Sequence, residues 1–207
     1  MMKKTRPDTA ASLVLASASP SRRKMLTMAG ISCLFDVADI DETAVKEKMS
    51  QEGAAPDKIS EQLAIEKAMA ISPAHKGKII LGADQLLVCE GRLFDKPRDM
   101  AEAARHLRFF RGKSHYLFTS YALIKNQEIL VCETVRPRLV MRDFSDEFLA
   151  DYLSLSGQKI QGSVGCYLLE GLGPQLFSEI DGDYFAILGL PLLNVMENLR
   201  RLNIIDD

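Results

Sequence analysis

An aspartate stands inside an apolar run. Ile79-Ile80-Leu81 and Leu86-Leu87-Val88 flank Gly82-Ala83-Asp84, and a carboxylate buried in such a strand costs several kcal/mol unless it is paired or binds a cation. A cleft carboxylate that holds a metal or accepts a proton satisfies that cost. So does a structural aspartate bonded to backbone N–H groups. Gly82 lets another group approach the backbone closely.

A second constellation lies near the start of the chain. Leu13–Ala16 runs into Ser17-Ala18-Ser19-Pro20-Ser21-Arg22-Arg23, where Ser19 suits an N-cap and Pro20 the first helical position. The unpaired N–H groups and partial positive charge of a helix start favour an anion. Ser17 and Ser19 add hydroxyl donors, and Arg22 and Arg23 add forked cationic donors suited to phosphate. Basic residues in a first turn oppose the helix dipole and need a compensating partner. A polyphosphate would be one, although a capped helix with solvated arginines uses the same residues.

Further cations are scattered along the chain. Leu63, Lys67 and Ile71 fall at i, i+4 and i+8, so Lys67 interrupts the apolar stripe of a helix. It either snorkels to water or enters a cleft. Lys96, before Pro97, is a weaker signal of the same kind. Glu42, at the end of the acidic stretch Ala38-Asp39-Ile40-Asp41-Glu42, could share a cation with Asp84, although acidic loops are common and usually inert.

Other motifs fail. Gly112-Lys113-Ser114 mimics the end of a phosphate loop, but the required earlier glycine is Leu107. Gly171-Leu172-Gly173 lacks the third glycine of a dinucleotide fingerprint. Neither G-x-S-x-G nor H-E-x-x-H occurs. The four cysteines, Cys33, Cys89, Cys132 and Cys166, form no C-x-x-C pair; free thiols, a reducing compartment and a cytoplasmic location are the expectation.

The elements that must position these residues follow from periodicity and punctuation. Strands are predicted at Leu13–Ala16, Ile31–Val37 and Lys78–Leu81, the last interrupted at Gly82-Ala83-Asp84 and resuming over Leu86–Cys89. Glu90-Gly91 turns back into Arg92–Phe94. His115–Lys125 and Glu128–Arg142 read as long strands joined at Asn126-Gln127, with Pro137 at an edge or bulge. Further strands are expected near Ser163–Glu170, at Leu176–Ile180 and at Tyr184–Leu188. Helices are expected from Ser19 to Gly30, over residues 57–72, from Asp99 to Gly112, from Ser145 to about Leu155, and from Pro191 onward. The stretch 38–42 reads as a loop.

At 207 residues, 47% hydrophobic and 26% charged, the chain suits a single α/β domain over 12–207 behind a flexible tail at 1–11. A net charge of −2 argues against a broad nucleic-acid surface. No apolar run reaches the ~20 residues that span a bilayer. Leu139–Met141, read as an apolar edge, hints at a homodimer.

Taken in order, LASASPSRRKML, VADIDE, LAIEKA, GADQ, the Lys96-Pro97 pair and GDYFAILGLP resemble the Maf family from about Leu13 to Leu202. The resemblance implies a nucleoside triphosphate pyrophosphatase of inosine-triphosphatase-like fold, with an elongated mixed sheet, two lobes, a deep cleft and a divalent cation, Mg²⁺ or Mn²⁺. It implies that Asp84 is the acid/base residue and that Arg22, Glu42, Lys67 and Lys96 handle phosphate and metal. Three positions bear on substrate choice. Gln85 and Glu170 resemble the subgroup acting on 7-methyl-GTP, whereas Ser21 matches neither that subgroup nor the one preferring dTTP and UTP. A carboxylate at 170 accepts hydrogen bonds from a guanine edge and favours a methylated, cationic ring. A dTTP/UTP pyrophosphatase and a non-catalytic nucleotide-binding regulator of septum formation stay open as alternatives.

Overall fold

The computed structural model describes residues 12–206; the tail expected over 1–11 lies outside them. The chain runs β1 (Leu13–Ala16), α1 (Pro20–Met28), β2 (Cys33–Asp36), α2 (Glu42–Gln51), α3 (Pro56–Ile71), β3 (Ile79–Cys89), β4 (Arg92–Phe94) and α4 (Met100–Phe110). It continues through β5 (Ser114–Lys125), β6 (Glu128–Val135), β7 (Arg138–Met141), α5 (Asp146–Ser156), β8 (Phe177–Asp181), α6 (Tyr184–Ile187) and α7 (Leu192–Arg201). The strands form one mixed sheet of order β2-β1-β3-β5-β7-β8, with β4 added to β3 and β6 to β5. This is the α/β architecture that the residue pattern predicts.

The long strands β3 and β5 are antiparallel partners over the whole of β3, from Ile79↔Lys125 to Cys89↔His115. The other edge of β3 is shared. Parallel β1 covers it as far as Ala16↔Gly82, and antiparallel β4 takes over from Leu87↔Phe94. Residues 83–86 therefore have no strand on that side. The expected interruption at Gly82-Ala83-Asp84 does not exist in β3 itself, which is continuous; the interruption belongs to its neighbours.

Alternation along β3 sends Ile80, Gly82, Asp84 and Leu86 to one face and Ile79, Leu81 and Ala83 to the other. The second set packs with Leu13, Leu15, Leu26 and Val195, under α1 and α7. The first faces α3, whose Ala64 and Ala68 pack with Ile80 and Val14. Gly82 permits this approach: a Cβ there would lie 2.0 Å from the Ala64 carbonyl oxygen. Beyond Leu87, a separate core gathers Phe94, Leu107, Phe110, Leu139, Tyr152 and Phe177 from β4, α4, β7, α5 and β8.

Several expectations are corrected. The acidic stretch 38–42 ends as the start of α2, because the Asp41 side chain accepts from the Ala44 N–H and caps it. The strand expected over Glu128–Arg142 breaks at Arg136-Pro137 into β6 and β7. No strand forms over Ser163–Glu170; a 3₁₀ turn at Gly157–Gly162 is followed by turns. Tyr184–Ile187 is a helical turn, since Asp183 caps the N–H groups of Phe185 and Ala186. Leu139–Met141 is not an edge: β7 pairs with β5 on one side and β8 on the other, which removes that ground for a homodimer. Among the described residues, no helix is long and apolar enough to cross a membrane.

Candidate active site

A cleft of about 600 Å³ opens where β3 lacks a strand on one edge. Its lining includes Ser17, Ser19, Ser21, Arg22, Glu42, Lys67, Asp84, Gln85, Lys96 and Glu170, whereas Arg23, the second expected phosphate donor, lies outside it and donates to the Ser17 carbonyl. The lining positions come from β1–α1, α2, α3, β3, the β4–α4 connection and the turns after α5.

At the centre, Lys67 Nζ lies 2.6 Å from Asp84 Oδ1 and 2.9 Å from Glu42 Oε1. Lys67 and Asp84 are only 9% and 6% exposed. The apolar stripe of α3 turns Lys67 inward, and the close approach over Gly82 brings it within reach of β3. One ammonium thus compensates two carboxylates, which answers the cost of burying Asp84. The other oxygen of each carboxylate has no partner among the described residues. Burial would push the Glu42 carboxyl up, but Lys67, Lys46 and Lys96 together hold it below the usual range.

Arg22 sits at the first turn of α1, where Ser19 caps the helix by accepting from the Arg22 N–H. The guanidinium donates to the Gly189 carbonyl at 2.7 Å, the Ala83 carbonyl at 2.8 Å and Ser17 Oγ at 3.2 Å. The Ala83 carbonyl lies in the stretch of β3 that lacks a neighbouring strand, so Arg22 supplies a missing sheet donor. Desolvation lowers its pKa against the opposing pull of Asp84 and Glu42. Nη2 makes no hydrogen bond to the described residues. The hydroxyls of Ser17 and Ser19 act as acceptors here, so their protons remain available to a ligand.

Lys96 hangs over the same centre. Burial, and next the like charge of Arg22, bring its ammonium below the ordinary lysine value. Lys46 and Arg98 also line the cleft, and Lys46 pairs with Asp95. Sequence reasoning passed over these two because a lysine in a polar helix and an arginine beside a proline carry no distinguishing pattern.

The opposite wall is different in kind. Gln85, on the other face of β3 from Asp84, donates its amide to Thr119 Oγ1 and to the carbonyls of Ala186 and Ile187. It pins the segment that Arg22 holds at Gly189. Gly189 has φ of +106°, a conformation that favours glycine. Glu170 Oε1 pairs with Lys24 Nζ of α1 at 2.7 Å, so the carboxylate expected to bear on substrate choice is tied to α1. Tyr167, also in the lining, meets the ring of buried His115 through its hydroxyl at 2.9 Å.

Oxygen donors from Glu42 and Asp84, next to a cluster of cations, suit a hard divalent ion held jointly with a polyphosphate. Among the described residues there is no group of three or more His, Cys, Asp and Glu side chains that would hold a metal alone. All four cysteines are free.

The chain matches known proteins over nearly its whole length. The family model described as Maf-like protein covers residues 12–202. A Granulibacter bethesdensis protein named nucleoside triphosphate pyrophosphatase is 47% identical over 189 residues, or 91% of this chain and 96% of its own. A Paramagnetospirillum magneticum protein of the same name is 44% identical, over 90% and 96% of the two chains. A Rhizobium meliloti protein named 7-methyl-GTP pyrophosphatase is 41% identical, over 94% and 98%. The chain belongs to the Maf-like protein family.

Proposed function

We propose that the protein is a nucleoside triphosphate pyrophosphatase that hydrolyses the α–β phosphate linkage to a nucleoside monophosphate and pyrophosphate. The observation that carries this reading is the Lys67 bridge between Asp84 and Glu42, set among Arg22, Lys46 and Lys96 at the unpaired stretch of β3. Such a site takes cations out of water: burial lowers the pKa of both Lys96 and Arg22, and the like charge of Arg22 adds repulsion at Lys96. A triphosphate resolves that repulsion.

Asp84 Oδ1 is committed to Lys67, leaving Oδ2 to accept the proton of a water attacking the α-phosphorus. General-base help of this kind is worth about 10²–10⁴-fold. Arg22 Nη2, Lys96, and the hydroxyls of Ser17 and Ser19 orient the phosphates and stabilise charge on the departing pyrophosphate. Lys67 keeps the two carboxylates in register. Glu42 and Asp84 would hold Mg²⁺ or Mn²⁺ together with the triphosphate. Such an ion supplies Lewis-acid polarisation and charge neutralisation when bound.

For the base, the combination of Gln85 and Glu170 favours 7-methyl-GTP. With its amide nitrogen committed to the segment 186–189, Gln85 shapes the floor. Glu170 reads the base edge. Its resident partner Lys24 is a cation, and a 7-methylguanine ring is one too, so the exchange preserves charge balance. A pyrophosphate-release panel over 7-methyl-GTP, GTP, dTTP and UTP with Mg²⁺ tests both halves. Preference for 7-methyl-GTP is expected. Selective cleavage of dTTP and UTP would overturn the base assignment, and tight nucleotide binding without turnover would favour the regulator instead.

A further inference from the structure

At Lys96, which the proposed reading gives to phosphate, the cleft borders further open surface. Asp95, Lys96 and Arg98 line the cleft and also a second depression of about 550 Å³, whose other walls are Arg92, Leu93 and Phe94 of β4 and Glu102, Arg105, His106 and Phe109 of α4. The α4 residues recur at i, i+3, i+4 and i+7, so one face of that helix forms the wall. Four basic side chains meet two carboxylates there. Both carboxylates already have cationic partners: Glu102 is gripped by Arg98 through Nε at 3.0 Å and Nη2 at 3.1 Å, with Arg105 Nη2 farther off at 3.7 Å, and Asp95 is held by Lys46. His106 is brought below its ordinary pKa by burial, so it adds little charge at neutral pH. The exposed guanidinium of Arg92 lies 4.9 Å from the Phe109 ring centroid and 5.5 Å from that of Phe94.

A cationic depression that holds an arginine against two aromatic rings, and shares with the cleft the Lys96 that the proposed reading gives to phosphate, has the chemistry of a second nucleotide subsite. Guanidinium and aromatic faces stack on any base, and the basic rim meets phosphate. We propose that the substrate class of this site includes dinucleoside triphosphates, in which the terminal phosphate of the bound triphosphate carries a second nucleoside seated between Arg92 and α4. The proposal rests on the pyrophosphatase reading and extends it. Water adds to the α-phosphorus, its proton goes to Asp84, and the bridging bond to the β-phosphate breaks. The leaving group is then a nucleoside diphosphate in place of pyrophosphate.

The test uses the full chain with Mg²⁺ and, for whichever nucleoside triphosphate it turns over best, the matching 5′,5′-dinucleoside triphosphate. Products are resolved by chromatography in ¹⁸O-water. Expected are a monophosphate carrying ¹⁸O and an unlabelled nucleoside diphosphate, with kcat/KM within about tenfold of the simple triphosphate. Arg92→Ala and Arg105→Ala should each lower kcat/KM for the dinucleotide by about tenfold, and leave the triphosphate within about twofold. Turnover of the triphosphate with none of the dinucleotide overturns the proposal and leaves the pyrophosphatase reading standing. So does an equal loss on both substrates in the two variants. Failure to release pyrophosphate from any triphosphate overturns the reading beneath it.

Discussion

On one wall of the cleft, four charged side chains hang from regular elements, Arg22 from α1, Lys67 from α3, Asp84 from β3 and Glu42 from the first turn of α2, and Lys96 joins them from the β4–α4 connection. On the other, Tyr167 and Glu170 sit on turns after α5, and the carbonyls that receive Gln85 and Arg22 lie at and just beyond a four-residue helical turn. On the proposed reading the first wall takes the triphosphate, which is common to every nucleotide, and the second takes the base, where nucleotides differ. Packed helices and strands hold charge at fixed distances, whereas turns change shape through local backbone chemistry. The contrast suggests a division between rigid chemistry and adjustable selection.

The sharpest way to break that contrast is at Asp84. Asp84→Asn keeps the size of the side chain and should reduce kcat by about 10²–10⁴-fold, with KM for the triphosphate nearly unchanged in steady-state assays. An effect under tenfold would move the base function elsewhere.

Next is Gly82, where the rigid wall depends on a missing side chain. An alanine Cβ would strike the Ala64 carbonyl oxygen and the Ala68 backbone nitrogen, atoms that cannot swing aside. Gly82→Ala should cost about 3 kcal/mol and pull Lys67 from Asp84, to be measured by denaturant unfolding and by kcat on the surviving folded fraction. Unchanged stability would mean that α3 slides freely on β3.

His115 sharpens the comparison from the side of the turns. Burial lowers its pKa from 6.5 to about 4, and its Nδ1 has no hydrogen-bond partner among the described residues. Between those values the unfolded chain binds a proton that the native ring does not. Stability therefore falls as pH drops through 6.5, and this loss is complete below about 4. The loss amounts to about 3 kcal/mol by linkage. Stability curves at stepped pH should show it, and His115→Gln should flatten that part of the slope. Tyr167, bonded to His115, keeps a neutral partner across that window in the folded protein, so base preference should hold until the pH approaches 4.

The smallest effect belongs to Glu170. Glu170→Gln frees Lys24 and should erode preference for 7-methyl-GTP over UTP by about tenfold, about 1.4 kcal/mol, with kcat on the preferred substrate little changed. A loss of kcat without loss of selectivity would place Glu170 with the chemistry.

Legibility in the sequence followed the same divide. Ser19-Pro20 marked a helix start because capping chemistry is local. Asp84 and Lys67 stood out because each violates an apolar pattern that the fold must otherwise keep. The start of α2 was missed because that helix has no buried residue and so no apolar stripe; its only signal was Asp41 as an N-cap. Ser163–Glu170 resembled a strand because Val164, Cys166, Tyr167 and Leu169 are buried, yet turns bury them without alternation. Tyr184–Leu188 is apolar enough for a strand, and only the Asp183 cap decides for helix. The neighbouring depression between Arg92 and α4 had no sequence signal, since its residues are ordinary surface types that only the β4–α4 packing gathers.

The stretch of β3 between its two partners acts as a gauge. Four residues at ~3.3 Å each open ~13 Å of strand edge, and the opening ends where β1 stops at Ala16 and β4 starts pairing at Phe94. Its width is therefore written in the lengths of two short strands and not in any side chain. Point substitutions along the cleft can retune charge or base preference while the aperture stays constant. A one-residue extension of β1 would narrow it by a full step.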